Sequence, residues 1–185
     1  LVLVAGACST GSSSTTSSLP AAGGTASVRI TSDWDSLDPH NSVTFIAGQI
    51  ESALYDTLIH FAPATNNPEP YVRRAGKESA GSMAFTIRSD VKCSDGTPLT
   101  AQIVADSYKR YFSFIGKNTG IAQRFGKGTY TETATDSTHL TITWSSGYTD
   151  MAQAFALVGI VCPAGLLPGA DFQHAFAGNQ SDRLQ

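Results

Sequence analysis

Cysteine and histidine are the residue types in this chain best suited to metal binding or nucleophilic chemistry. No two of the three cysteines form a C-x-x-C pair, and the four histidines are equally scattered. These residues are Cys8, Cys93, Cys162, His40, His60, His139 and His174. A structural zinc site usually draws its ligands from closely spaced pairs, so this spacing assigns no metal site.

Short motifs that mark common enzyme classes are also missing from the sequence. The chain contains no G-x-S-x-G nucleophile turn, no H-E-x-x-H zinc motif and no G-x-x-x-x-G-K-[ST] phosphate loop. The sequence therefore predicts no enzyme, no catalytic residue and no cofactor. A histidine that acts with a distant carboxylate stays open, because spacing along the chain does not test it.

The charge composition of the chain argues against some classes of binding partner. The 185 residues carry a net charge of -3, and charged residues make up 15% of them. No charged residue precedes Arg29, and the densest basic cluster is the pair Arg73-Arg74. Nucleic-acid binding requires a basic surface, so this composition argues against it. After residue 7 there is no long apolar run, so the sequence predicts no membrane-spanning helix.

The beginning of the chain has the features of a surface anchor. Small and apolar residues run from Leu1 to Ala7 and end at Cys8, like the tail of a bacterial lipoprotein signal peptide. We interpret residues 1–8 as a signal remnant, with the Cys8 thiol as the site of lipid attachment. Residues 9–26 are rich in Ser and Thr and predict a flexible tether. The alternative is an apolar strand with an ordinary buried cysteine.

Residues 27–185 are predicted to form the folded part, a mixed α/β or α+β domain. Apolar residues four apart predict a helix over 45–58, with Ser42 or Thr44 as its N-cap. A second helix is expected from Thr100 to about Phe114, after a turn at 94–98 in which Gly96 adopts a positive φ. The other predicted elements are strands at 27–31, 58–61, 85–88 and 159–162, a loop at 63–70, a hairpin at 130–135 and 139–144, and a helix at 150–157.

Two segments resemble a known family. The first combines Ser36-Leu37-Asp38-Pro39 with Tyr55-Asp56-Thr57-Leu58, and the second runs from Phe85-Thr86-Ile87-Arg88 through Asp95-Gly96-Thr97-Pro98 to Thr100-Ala101. Both are similar to the bacterial extracellular solute-binding proteins for peptides, nickel and related solutes. The resemblance implies part of a periplasmic-binding-protein type II-like fold, with the start of the first lobe and a small inserted domain. The family fold has two lobes, so we expect this chain to be its N-terminal part, without the second lobe.

The resemblance also implies a function. A protein of this family captures a solute, here expected to be a peptide, in an interlobe cleft and delivers it to the permease subunits of an ABC importer. Together with Cys8, it implies lipid anchoring at the extracytoplasmic face of the bacterial cell membrane. The alternative is a truncated or small surface lipoprotein with a structural role and no solute cleft.

By resemblance, the loop after the first strand faces the cleft, which makes Asp33, Trp34 and Asp35 the candidate ligand-binding residues. A carboxylate there could pair with the α-amino group of a peptide, and an indole could cover an apolar side chain. The alternative is that Trp34 packs in the core and Asp35 orders the loop. For Asp38, which precedes a proline, we expect a structural role in a turn.

Cys93 and Cys162 are predicted to form a disulfide. Both lie beside predicted strand ends, and disulfides persist outside the cytoplasm. Such a bridge would close a loop of about 70 residues and contribute roughly 2–4 kcal/mol in the chain-entropy description. Two separately buried free thiols are the alternative. The aromatic residues Tyr108, Tyr111 and Phe112 are expected to belong to the core.

Overall fold

The computed structural model describes residues 27–62, 64–117, 119–146, 150–170 and 172. Helices and strands alternate irregularly along these residues, which confirms the predicted α+β composition. The helices are α1 (Phe45–Leu54), α2 (Ala101–Phe112), α3 (Thr119–Phe125), α4 (Met151–Phe155) and α5 (Pro163–Leu166). The strands are β1 (Ile59–Phe61), β2 (Pro68–Pro70), β3 (Arg73–Ser79), β4 (Ser82–Ile87), β5 (Tyr130–Ala134) and β6 (His139–Trp144).

The main sheet has four antiparallel strands in the order β3-β4-β6-β5, and β1 and β2 form a separate two-stranded ladder. Side chains alternate between the two faces of a strand. In the central strand β4, Met83, Phe85 and Ile87 are each only 2% exposed. In the neighbouring strand β6, Leu140 pairs with Phe85, and Ile142 pairs with Met83. One face of the sheet is therefore apolar and must be covered.

Helix α2 lies beside β5 and β6 and contributes the other half of this core. Thr100 is its N-cap, as predicted, because its side chain accepts a hydrogen bond from the backbone N–H of Ile103. Tyr108 and Tyr111 point into the core, where their rings lie 5.5 Å from those of Phe155 and Phe125 respectively. The predicted assignment of the aromatic stripe to the core is confirmed.

The turn before α2 has the predicted geometry. Gly96 has a φ of 86°, a left-handed conformation that glycine adopts without steric cost. The Asp95 carboxylate accepts a hydrogen bond from the N–H of Thr97 at 2.8 Å, and the N–H of Cys93 donates to the Thr97 carbonyl at 2.8 Å. These bonds fix the position of Cys93 at the base of the turn.

Four predictions differ most from the structure. Residues 27–31 belong to no strand, and Val28 is 81% exposed. The helix predicted to reach residue 58 ends at Leu54, because Tyr55 adopts extended backbone angles. The predicted loop at 63–70 contains β2, and the predicted strand at 159–162 is buried but irregular. Periodicity detects which residues are apolar, but strand formation also needs a neighbouring strand.

Besides β2, three elements were not predicted: β3, α3 and α5. Strand β3 reads Arg-Arg-Ala-Gly-Lys-Glu-Ser, which has no apolar alternation, and it forms because β4 offers it a partner along its edge. Helix α3 has only two large apolar residues, Ile121 and Phe125, both of which are buried against the core. Elements this short depend on tertiary contacts more than on their own sequence.

Within the described residues, no helix is long and apolar enough to cross a membrane. The same part of the chain contains no group of three or more His, Cys, Asp or Glu residues placed to hold a metal ion.

Candidate functional site

The loop that carries Asp33, Trp34 and Asp35 lies on the surface. All three residues are exposed, and the Trp34 side chain is not packed in the core, because 40% of the residue is accessible. An indole that stays open to solvent before binding is suited to cover an apolar group of a partner. The structure places these residues side by side on one exposed loop, and their role in binding stays a prediction.

Asp35 differs from its neighbours because its carboxylate already has partners. One oxygen accepts a hydrogen bond from the N–H of Val43 at 2.8 Å, and the other accepts from the hydroxyl of Thr44 at 2.6 Å. Slight burial raises the pKa of Asp35, but the hydrogen bonds from Thr44 and Val43 outweigh it and lower the pKa overall. The carboxylate thus connects the loop to the N-terminus of α1, where Thr44 caps the helix.

Asp38 forms the main charged contact between this loop and the rest of the molecule. Its two carboxylate oxygens accept hydrogen bonds from the two terminal nitrogens of Arg110 on α2, at 2.9 and 2.6 Å. Asp38 is 7% exposed, and one of its oxygens also accepts from the N–H of His40 at 3.1 Å. Two oxygens facing two guanidinium nitrogens define both distance and direction. The predicted turn role of Asp38 is confirmed, and the pairing with Arg110 adds to it.

His40 connects the same loop to the segment around Gly159. Its Nε2 lies 3.0 Å from the carbonyl oxygen of Gly159, which only accepts, so Nε2 carries the proton and Nδ1 has a free lone pair. Burial lowers the pKa of His40 to about 4, and the nearby Arg110 charge contributes to that shift. His40 is therefore neutral at pH 7. A side chain on Gly159 would clash, since its Cβ would lie 2.7 Å from the Cβ of Tyr55.

Two cavities adjoin these residues on different sides. One, of about 510 Å³, lies over the Asp38–Arg110 pair and is lined on its other side by residues 166–170. The other, of about 260 Å³, lies between the turn at 39–43 and helix α3, with His40 and Tyr111 in its lining. Both open beside the loop that leads from Asp33 to α1, which makes this side of the molecule the candidate functional surface.

Cys93 and Cys162 form a disulfide, with their Cα atoms 6.1 Å apart and 69 positions separating them in sequence. The predicted pairing is confirmed. It connects the turn before α2 to the segment around Gly159 to Cys162, whose Val161 N–H also donates to the Ser107 hydroxyl at 2.9 Å. A small cavity of about 150 Å³ lies beside the bridge.

The remaining predicted site residue, Cys8, lies outside the described residues, as does the whole predicted tether at 9–26. Sequence reasoning missed Arg110 and His40 as partners of Asp38. One signal for Arg110 was present: it follows Ser107 by three positions, so it lies on the buried side of α2. For His40 the only signal was its place directly after Asp38-Pro39.

Solved structures that share this fold are substrate-binding proteins. One from Microbacterium hydrocarbonoxydans, in complex with 4-hydroxybenzoate hydrazide, is 32% identical, with a TM-score of 0.56 over 71% of this chain and 27% of its own. The murein tripeptide binding protein MppA of Escherichia coli is 22% identical, with a TM-score of 0.60 over 76% of this chain and 32% of its own. NikA from Brucella suis, in complex with Fe(III)-EDTA, is 16% identical, with a TM-score of 0.60 over 74% and 28%.

The fold is thus that of part of an ABC-transporter substrate-binding protein, and the resemblance to the peptide and nickel family is confirmed by these structural neighbours. The chain spans about 27 to 32% of the length of the three structures. No protein-family profile matches the chain, and no curated protein is significantly similar to it.

Proposed function

We propose that this chain is part of the solute-capturing component of an ABC importer and that it has no catalytic activity. The observation that carries the proposal is the shared fold with substrate-binding proteins, of which one is 32% identical to this chain. Proteins of this kind close two lobes around a solute, a movement driven by the higher affinity of the closed state for the ligand. The permease subunits would then receive the solute from the closed form.

The solute proposed is a peptide, and the contacts proposed are those of the loop at 33–35. Trp34, already exposed, would cover an apolar side chain of the peptide. Asp33 would pair with its α-amino group. Asp35 is the weaker candidate of the two acids, because Val43 and Thr44 already bind its carboxylate.

Binding would be tested by calorimetry on the product of the gene that encodes this chain, expressed with its own start and stop codons. The solutes would be trialanine, N-acetyl-trialanine, a nickel chelate and a disaccharide. We expect trialanine to bind, and Trp34→Ala to weaken it by about tenfold, since truncating a buried aromatic anchor costs more than 1 kcal/mol. Asp33→Asn should weaken trialanine but not its acetylated form, which has no α-ammonium group. A folded, monomeric protein that binds none of these solutes would rule the proposal out.

We also propose that the protein is anchored at the extracytoplasmic face of the membrane through a lipid on Cys8. The amino-terminal sequence pattern and the Cys93–Cys162 disulfide support this location, because disulfides persist outside the cytoplasm. Growth of the bacterium with an alkyne fatty acid should label the wild-type protein and not the Cys8→Ser variant. Equal labelling of both would contradict the anchor.

A further inference from the structure

Two buried polar atoms in the lining of one cavity lack a hydrogen bond of good geometry to any described residue. They are Nδ1 of His40 and the hydroxyl oxygen of Tyr111, which has only a weak interaction with the Arg124 guanidinium. Both residues are 1% exposed, and their rings meet edge to face with centroids 5.4 Å apart. A buried polar group without a partner costs free energy, so two of them at one cavity indicate that something binds there.

The cavity has a polar floor and an open, positively charged rim. Its volume is about 260 Å³, enough for part of a small solute. His40 and Tyr111 form the floor, and the exposed side chains of Val43, Gln123 and Arg124 lie around the mouth. Arg124 makes no salt bridge to any described residue, but its guanidinium interacts with the Tyr111 hydroxyl at the floor. Its positive charge therefore faces the cavity, where an anionic group could meet it.

The polar atoms at the floor of the cavity are suited to bind an uncharged hydrogen-bond donor. His40 donates from Nε2 to Gly159, so its Nδ1 can only accept, and whatever binds it must bring an N–H or O–H. Burial lowers the pKa of His40 and raises that of Tyr111, with the Arg124 charge opposing the second shift. Both shifts mean that the environment disfavours charge at the floor. An amide N–H or a hydroxyl fits this position better than an ammonium group.

We propose that this cavity is a subsite for the carboxyl-terminal end of a short peptide, with the last amide N–H on His40 Nδ1 and Tyr111 and the carboxylate at Arg124. The inference rests on the proposed function, since it supplies the contacts for the other end of the same solute. It is a separate site from the loop at 33–35, where the α-amino group would bind.

The test compares trialanine with trialanine amide, which has the same amide groups and no carboxylate. Calorimetry on the full gene product would measure both for the wild type, Tyr111→Phe and Arg124→Gln. Tyr111→Phe should weaken trialanine about fivefold, the loss of one neutral hydrogen bond. Arg124→Gln should weaken trialanine roughly tenfold and leave the amide unchanged, because a charge-assisted bond is the stronger kind.

Two matched variants control for general effects. Tyr108→Phe removes another buried hydroxyl, but one that bonds to Phe155 away from the cavity, and it should leave the affinity unchanged. Arg88→Gln removes an exposed arginine paired with Asp90 and should do the same. Tyr111→Phe keeps the buried ring and removes only the hydroxyl with its interaction with Arg124, so this variant should fold.

A second readout follows His40 directly. In long-range ¹H–¹⁵N spectra, the Nδ1 resonance should move when trialanine is added, because that nitrogen gains a donor. An Nδ1 resonance that stays in place, or trialanine binding that is equal in the wild type, Tyr111→Phe and Arg124→Gln, would overturn the subsite and leave the proposed function standing. If the protein bound the nickel chelate or the disaccharide but not trialanine, the proposal that the cavity binds the carboxyl-terminal end of a peptide would be wrong. Binding of no solute would remove the proposed function, and the subsite with it.

Discussion

Two regions of this molecule are held together by different kinds of contact. The sheet of β3 to β6 with α2, which we call the sheet region, has continuous backbone ladders and an aromatic core. The flanking segments, residues 27–44 and 159–170, contain no strand among their described residues. They are attached by a few specific bonds: Asp38 to Arg110, His40 to Gly159, Ile160 to Asp56, Val161 to Ser107, and Cys162 to Cys93.

The sheet region provides most of the stability, whereas the flanking segments carry the proposed binding residues. The sheet region gains from burying many apolar side chains, so no single bond decides its stability. The flanking segments carry the candidate solute residues Asp33 and Trp34, and they bury fewer apolar side chains, among them Leu37, Ile160 and Val161. Binding loops are commonly found at the less stable end of a protein, where local opening costs little. Breaking single contacts should therefore affect the two regions very differently.

The largest effect is expected for Arg110→Ala. It leaves the buried Asp38 carboxylate without its cation, which costs about 3–5 kcal/mol when one partner of a buried pair is removed. Arg88→Ala is the matched control, because Arg88 also bonds both carboxylate oxygens of an aspartate, through Nε and one terminal nitrogen, but this pair is exposed and such pairs contribute little to stability. Urea unfolding of both variants measures the comparison. Equal losses would show that burial of the Asp38 pair does not matter.

Removing the disulfide with Cys93→Ala and Cys162→Ala together should cost roughly 2–4 kcal/mol. Hydrogen exchange would show where the cost falls. We expect faster exchange at the N–H groups of Ile160 and Val161, and unchanged exchange in β4 and β6. Uniformly faster exchange throughout the sheet region would mean that the two regions unfold as one unit.

The His40 contact should depend on pH. Its pKa is about 4 in the folded protein and 6.5 in the unfolded chain, so the unfolded chain binds more protons and stability is lost as pH falls below 6.5. Between pH 7 and pH 5 this loss amounts to about 2 kcal/mol. His40→Gln, which keeps a donor for Gly159, should remove that part of the pH dependence. A wild type and a variant with parallel stability curves would contradict the assignment.

The smallest effect is expected at the helix caps. Thr100→Ala removes the cap of α2 in the sheet region and should cost about 1 kcal/mol. Thr44→Ala removes the cap of α1 at the end of the flanking segment, together with the hydroxyl hydrogen bond to Asp35. Thermal unfolding should show the loss from Thr100→Ala in the main transition. If the flanking segments open separately, Thr44→Ala should instead speed hydrogen exchange at Val43 and Ala47 with little change in that transition.

Prediction from sequence succeeded where a residue's role depends on its neighbours in the chain. Gly96, Thr100 and Thr44 were identified because turns and caps are formed within four or five residues. The stripe of Tyr108 and Tyr111 follows from helical periodicity in the same way. Predictions failed where a partner lies far away, as for the strand expected at 27–31 and the strand β3, which only its pairing with β4 defines.

The candidate site shows the same division. Asp33, Trp34 and Asp35 were chosen through the family resemblance and stay a prediction, whereas the Cys93–Cys162 pair was predicted from the position of the two cysteines and is confirmed. Their sequence order alone could not reveal that Val43 and Thr44 bind the Asp35 carboxylate, or that Arg110 lies 72 positions from the Asp38 it binds. The tautomer of His40 also depends on Gly159, 119 positions away, and the cavity that His40 shares with Tyr111 forms between distant parts of the chain. Local sequence determines backbone shape and apolar faces over short distances, whereas charge pairing, burial and pKa arise from groups that only the tertiary structure brings together.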